Sequence, residues 1–396
     1  MLNSGVKSLR VPIAFSSLLF ATSLFLLSGC AKEPTPVGAK LIPAGDLIHL
    51  DTAIYRSVRC YSQSNITQTA SSPRVLVGSV DNLQSWGLIR FAYLPDSVAS
   101  KQFVSAELDL RTIYHYGDSA APFSFTVHQI LSNWSTDSLT IDSLKAPGFY
   151  KQSACGTYST ALLGDTISIS VPLDTAAIRA LGTASDSVIT NFGLLLKPTN
   201  SRVIKGFGSF TISDVAMLPR LLLRFRNAAG NIDTLIESVG AHRFVTTGPN
   251  PVWPSDSTHL YVMNGTSSRG YVEFDVSALP AHAAIHKAVL ELTPDTRLTQ
   301  TNFFTVDSLE AFFTGDDGAI LTYISASGGP IHAGDSKVYQ FSLGSFVQRW
   351  LRGAKVQRVA IAGFAEQAAI DLFAFHGSST NAAFRPKLTV IYSLIQ

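Results

Sequence analysis

The chain has 396 residues, 46% hydrophobic and 15% charged, with 30 Lys and Arg against 28 Asp and Glu. Lys7 and Arg10 fall in a leading segment that reads as removable, and the 28 cations that remain balance the 28 acids. With no basic stripe or charged block to hold a phosphate backbone, nucleic acid is not an expected partner.

Residues 1–29 have the parts of an export signal: a basic start, an apolar run from Pro12 to Leu27, and small residues at Ser28-Gly29 before Cys30. Ser16, Ser17, Thr22 and Ser23 interrupt that run, which falls short of the roughly 20 apolar residues of a spanning helix. The segment resembles a lipoprotein signal, which implies that Cys30 carries diacylglycerol and becomes the first mature residue. Two acyl chains anchor a protein without any spanning segment. Ala31, rather than Asp, follows the cysteine, which in lipoproteins argues against retention at an inner membrane. Lys32-Glu33 partly matches a surface-export signal, with Pro34 in place of a second acid. A bacterial outer-membrane or surface location follows as the expectation. Residues 30–46 form the lipidated cysteine and a Pro- and Gly-bearing tether.

The 367 residues from Cys30 allow two or three domains, and they contain one unit twice. Asp51-Thr52-Ala53-Ile54 matches Asp233-Thr234-Leu235-Ile236. Ile89-Arg90-Phe91, Leu94-Pro95 and Ser105 to Leu110 match Val272-Glu273-Phe274, Leu279-Pro280 and Lys287 to Leu292. Leu173 to Leu181 aligns with Leu343 to Leu351, and Pro219-Arg220-Leu221 with Pro386-Lys387-Leu388. The predicted domains are residues 47–226 and 233–396, with residues 227–232 as the hinge.

Within the copies, Val104, Ala106, Leu108 and Leu110 alternate with polar residues, as do Phe123, Phe125 and Val127, and Ile167, Ile169 and Val171. A period of two predicts strands with one buried face. Tyr116-Gly117-Asp118-Ser119 and Gly315-Asp316-Asp317-Gly318 read as turns. Many short strands separated by turns predict an all-β protein of two tandem jelly-roll β-sandwiches. One short helix per copy is expected: Ala177, Ile178 and Leu181 behind Asp174 as cap, and Phe346, Val347, Trp350 and Leu351 behind Ser342 or Ser345.

The order of these motifs, with Asn133-Trp134-Ser135 in the first copy, resembles the DNRLRE domain of secreted bacterial proteins, a jelly-roll module. The resemblance covers about residues 50–226 and 233–394. The second copy departs from it, with Glu273 for Arg90 and Phe312-Phe313-Thr314 at the tryptophan position. The resemblance implies an extracellular polysaccharide or cell-surface glycan as ligand. Two copies on one tether would gain avidity on a shared polymer.

Among chemical signatures, no nucleophile elbow, zinc helix, phosphate loop or calcium loop is present in the sequence. Neither catalysis, a cofactor nor a metal is expected. His282 and His286 straddle the entry to a strand and read as structural; Asp316-Asp317 reads as a turn. Cys60 and Cys155 either bridge or stay as two buried thiols. Trp253, between Pro251 and Pro254, is a loop aromatic that either stacks on a sugar face or plugs the sandwich end. Tyr114 and Tyr116 flank His115 at a strand end as further candidate ligand contacts, whereas Trp134 and Trp350 read as core. The expected function is non-catalytic glycan binding. The alternative is a scaffold or adhesin docking a protein partner.

Overall fold

The computed structural model describes residues 49–394 except 65–68, 93, 95–101, 135–138, 182–190, 200–201, 248–256, 267, 302–304 and 334–335. Cys30, the signal and tether, and Trp253 lie outside the described residues. Among those described, no helix is long and apolar enough to cross a membrane.

The chain is all-β, in two large antiparallel sheets that each curl into a jelly roll. The first lobe contains β3 (Arg74–Val80), β4 (Leu83–Phe91), β5 (Gln102–Gly117), β6 (Phe123–Gln129), β7 (Gly156–Thr160), β8 (Ser168–Leu173), β9 (Leu194–Pro198), β10 (Val203–Gly208), β11 (Arg220–Arg226) and β12 (Ile232–Thr247). Its order β12-β11-β5-β8-β7-β6-β9-β4 closes on itself, because β4 pairs with both β9 and β12. The second lobe contains β13 (His259–Met263), β14 (Ser268–Glu273), β15 (Ala283–Leu292), β16 (Leu309–Thr314), β17 (Ile320–Ala333), β18 (Ser336–Ser342), β19 (Arg358–Gly363), β20 (Leu372–His376) and β21 (Lys387–Leu394). It has the matching order β21-β15-β18-β17-β16-β19-β14.

The strand that completes the second lobe comes from the other end of the chain. β1 (Asp51–Arg56) pairs with β21, and β2 (Arg59–Ser64) pairs with β14. The equivalent segment of the second repeat, β12, instead pairs with β11 and β4 of the first. Each repeat thus gives its leading strand to the other repeat's sandwich. The expected boundary is corrected accordingly: residues 227–231 are the turn of the β11–β12 hairpin, with the Asn227 N–H donating to the Asn231 carbonyl at 2.9 Å. Residues 51–64 belong with the second sheet and residues 232–247 with the first.

Alternation supplies the two cores. Leu108, Leu110, Phe123, Phe125 and Val171 meet in the first, and Leu290, Phe313, Phe341, Phe346 and Val390 in the second. Val104 departs from its expected inward position and is 45% exposed. The β5–β11 pairing shifts between Phe103 and Ser105, so Val104 is the bulged residue, turned off the core face.

The helix α2 (Thr175–Leu181) follows β8 as expected, with Asp174 Oδ1 accepting from the Ala176 N–H at 2.9 Å. Its counterpart α3 (Gly344–Leu351) buries Phe346, Val347 and Trp350, but its N-cap is Leu343 and no side chain caps it. The expected caps Ser342 and Ser345 are therefore corrected. A further helix, α1 (Ile141–Lys145), lies in a segment of the first copy that covers Trp86, Trp134 and Leu195 on the outside of the sheet. Trp134 is buried as expected, its indole N–H donating to the Phe192 carbonyl at 2.8 Å.

A third apolar cluster joins the lobes. Leu76, Tyr114, Tyr116, Ile204 and Phe244 of the first pack against Tyr261, Met263, Ile370, Leu372 and Ala374 of the second. The strands at this seam are buried on both faces: Leu260, Val262, Phe373 and Phe375 point to the second core while their neighbours point to the seam. That explains the continuous apolar runs in β13 and β20, where alternation fails.

Candidate functional site

Two sequence candidates are corrected by position. Tyr114 is fully buried; its hydroxyl donates to the Ile370 carbonyl and accepts from the Ile370 N–H, both at 3.0 Å. Tyr116 is buried beside it and donates to Gln300 Oε1 at 3.0 Å. Both are seam residues rather than ligand contacts, because β5 carries the core-facing side of Leu108 and Leu110 on past the sandwich end. Burial pushes the Tyr116 hydroxyl up to about 12, which keeps it protonated as a donor.

Cys60 and Cys155 do not pair. Each is a free thiol in a different core, because strand exchange carries Cys60 into the second lobe. Burial raises both to about 11, so neither is a thiolate at neutral pH. His286 bonds Ser393 Oγ at 2.8 Å, a structural role. Asp317 Oδ1 accepts from the Ala319 N–H at 2.9 Å within the expected turn, and Asp316 Oδ1 accepts from the Lys355 N–H at 2.7 Å, tying that turn to the loop after α3.

The described surface does contain a groove of about 530 Å³ that sequence reasoning did not find. Its floor is the outer face of the second sheet, where the register sets side chains in rows. One row runs Tyr61, Tyr271, Ala360, Phe312, Ser325 across β2, β14, β19, β16 and β17. The next runs Gln63, Arg269, Ala362, Glu310, Ser327. Of these residues Arg269, Ala362, Glu310, Phe312 and Ser325 line the groove, and β19 contributes only methyl groups to the two rows.

One wall is the loop after β19, which presents Phe364 at 59% exposure, followed by Ala365 to Ala368. Arg269 fixes this wall, donating through Nε and Nη2 to the two oxygens of Glu366 at 2.8 Å each. The bidentate geometry resists rotation as well as separation, and it holds the Arg269 guanidinium still more firmly protonated. Gly363 lets the loop start close to its neighbour, since a Cβ there would meet Asn264 Oδ1 at 1.9 Å. Ser71 to Pro73 of the first lobe close the end, with Ser71 Oγ donating to Gln367 Oε1 at 2.7 Å.

The groove thus places two aromatic rings, Phe312 and Phe364, beside hydrogen-bonding side chains at Glu310, Thr322, Ser325 and Gln367. Such a lining matches a ring with C–H faces and hydroxyl edges. The only signal in the sequence was Phe312 at the position of the repeat's tryptophan motif.

No model of a known protein family matches the chain, and no curated protein matches it. Among solved structures, the chain is similar at 10% identity to the Macrobrachium rosenbergii nodavirus, over 93% of this chain and 97% of that one, with a TM-score of 0.16. It is similar, also at 10% identity, to the C-terminal domain of the Streptococcus pyogenes antigen I/II-family protein AspA, over 88% and 92%, with a TM-score of 0.13. Likeness at these scores carries no argument about what the chain does.

Proposed function

We propose that this chain is an exported lipoprotein, anchored at the bacterial outer membrane or cell surface through Cys30, that binds extracellular polysaccharide or cell-surface glycan without cleaving it. The observation that carries the reading is the groove, in which Phe312 and Phe364 lie beside Glu310, Thr322, Ser325 and Gln367. The repeated motifs that resemble DNRLRE modules point to the same ligand class. The carboxylates of the lining support binding rather than hydrolysis: among the described lining residues they are Glu310 and Glu366, and Glu366 is committed to Arg269.

Strand exchange fits a tethered binder. β2, close in sequence to the tether, pairs with β14, which carries Arg269 of the groove, so the proposed binding face and the anchor-proximal strand share one sheet. Two experiments test the proposal. Cys30→Ser is expected to block processing and abolish detergent partitioning; unchanged partitioning would contradict the anchor. The mature chain is expected to bind saturably to at least one member of a panel of bacterial and algal polysaccharides in affinity electrophoresis. No retardation across the panel would move the reading to a protein-docking scaffold.

A further inference from the structure

Away from the groove, a second constellation is assembled by the sheet itself. His259 opens β13 and His376 closes β20, directly opposite each other in the antiparallel register. Their rings lie 6.0 Å apart at 30°. Asp295 is brought alongside by the segment after β15: its N–H donates to the Ala374 carbonyl at 2.8 Å, and the His376 N–H donates to the Thr293 carbonyl at 3.0 Å. The three side chains offer ligand atoms that all lie within 4.8 Å of one another.

We propose that His259, Asp295 and His376 form a binding site for a divalent transition-metal ion of the zinc class. Two imidazole nitrogens and one carboxylate oxygen are a donor set that zinc accepts, with a fourth position left for water or an outside ligand. The same set does not suit calcium, which takes six to eight oxygens. All three ligands stand on backbone pinned by sheet hydrogen bonds, so little ordering is required on binding.

The surrounding contacts fit a metal at this point. His259 Nε2 faces Asp295 Oδ2 at 3.3 Å, and its Nδ1 lies 3.0 Å from Thr258 Oγ1, a partner able to orient the ring as second-sphere groups do. Asp295 Oδ1 accepts from the Arg297 N–H at 3.0 Å and from Arg297 Nε at 3.3 Å, which steadies the carboxylate through the oxygen the metal does not need. Arg297 Nη2 also touches Oδ2 at 3.2 Å. That side chain is 84% exposed, so the ion can displace this one contact into water. His376 is backed by Phe384, whose ring lies 5.0 Å away and 30° off parallel.

The test uses the untagged mature chain and zinc chloride alone. Calorimetry is expected to show one saturable equivalent, weakened at least about tenfold in both His259→Gln and His376→Gln, with zinc raising the melting temperature of the wild type and a chelator reversing it. Cobalt(II) substituted in the wild type is expected to give the visible absorption of a tetrahedral nitrogen and oxygen site, a readout independent of how well the variants fold. No saturable zinc binding, wild-type affinity kept in either variant, or cobalt bound without that spectrum would overturn the proposal.

Discussion

His242 gives the chain a stability that depends on pH in a defined window. It is 1% exposed on β12, and its Nε2 donates to the Ser72 carbonyl at 2.7 Å. Among the described residues its Nδ1 has no hydrogen-bond partner, so a second proton there would be a buried charge. Burial accordingly lowers the imidazole from 6.5 to about 4. The unfolded chain takes up a proton as pH falls through 6.5 and the native chain does not, so the native state loses stability from there down to about pH 4, where the effect levels off. The loss reaches about 2.5 kcal/mol by about pH 4.5. His242→Gln keeps an N–H for Ser72 and removes the titration. Urea unfolding of both proteins from about pH 7.5 to pH 4.5 should show the gap between wild type and variant shifting by that amount in favour of the variant. Asp371, a buried carboxyl pushed upward by desolvation, changes stability with the opposite sign, which makes the difference between the two proteins the quantity to read. Parallel pH curves would refute the reasoning.

Three other outcomes are expected. Tyr114→Phe leaves the buried N–H and carbonyl of Ile370 without the hydroxyl they share and should cost at least about 2 kcal/mol in urea unfolding; a neutral effect would show that the seam contributes little. Cys60 and Cys155 should both resist thiol reagents in the native protein and both react after unfolding without reductant, and recovery of a disulfide-linked peptide would contradict their placement in separate cores. Starting the chain at Thr69 removes β1 and β2, and hydrogen exchange should then show lost protection in β14 and β21 while β4 and β11 keep theirs. Equal protection in both lobes would count against strand exchange.

Much of the fold was legible because it is local. The alternating strands around Leu108, Phe125 and Val171 and the turn that Asp174 caps follow from spacing within a few residues, and the repeat from short motifs recurring in the same order. Strand exchange was not legible, since Asp51 to Ile54 and Asp233 to Ile236 have the same sequence pattern and either would pair with either closing strand. Tyr114 and Tyr116 were readable in part: they keep the parity of Leu108 and Leu110 and lie at the end of β5 as expected, but residues of the second lobe far away in sequence pack over that end. The groove was hidden for another reason. Phe312, Arg269 and Ala360 become neighbours only through the register of β14, β19 and β16, and Phe364 has no pattern around it. His259 and His376 likewise meet across one rung of a ladder between strands far apart in sequence.

The central claim is that the groove on the second sheet is the glycan site, and calorimetry with a polysaccharide that retards the wild type tests it most directly. Phe312→Ala and Phe364→Ala should each weaken binding about tenfold or more, on the scale of a lost aromatic stacking contact. Phe384→Ala, an exposed aromatic outside the groove lining, should leave it unchanged. Undiminished affinity in both groove variants would contradict the account.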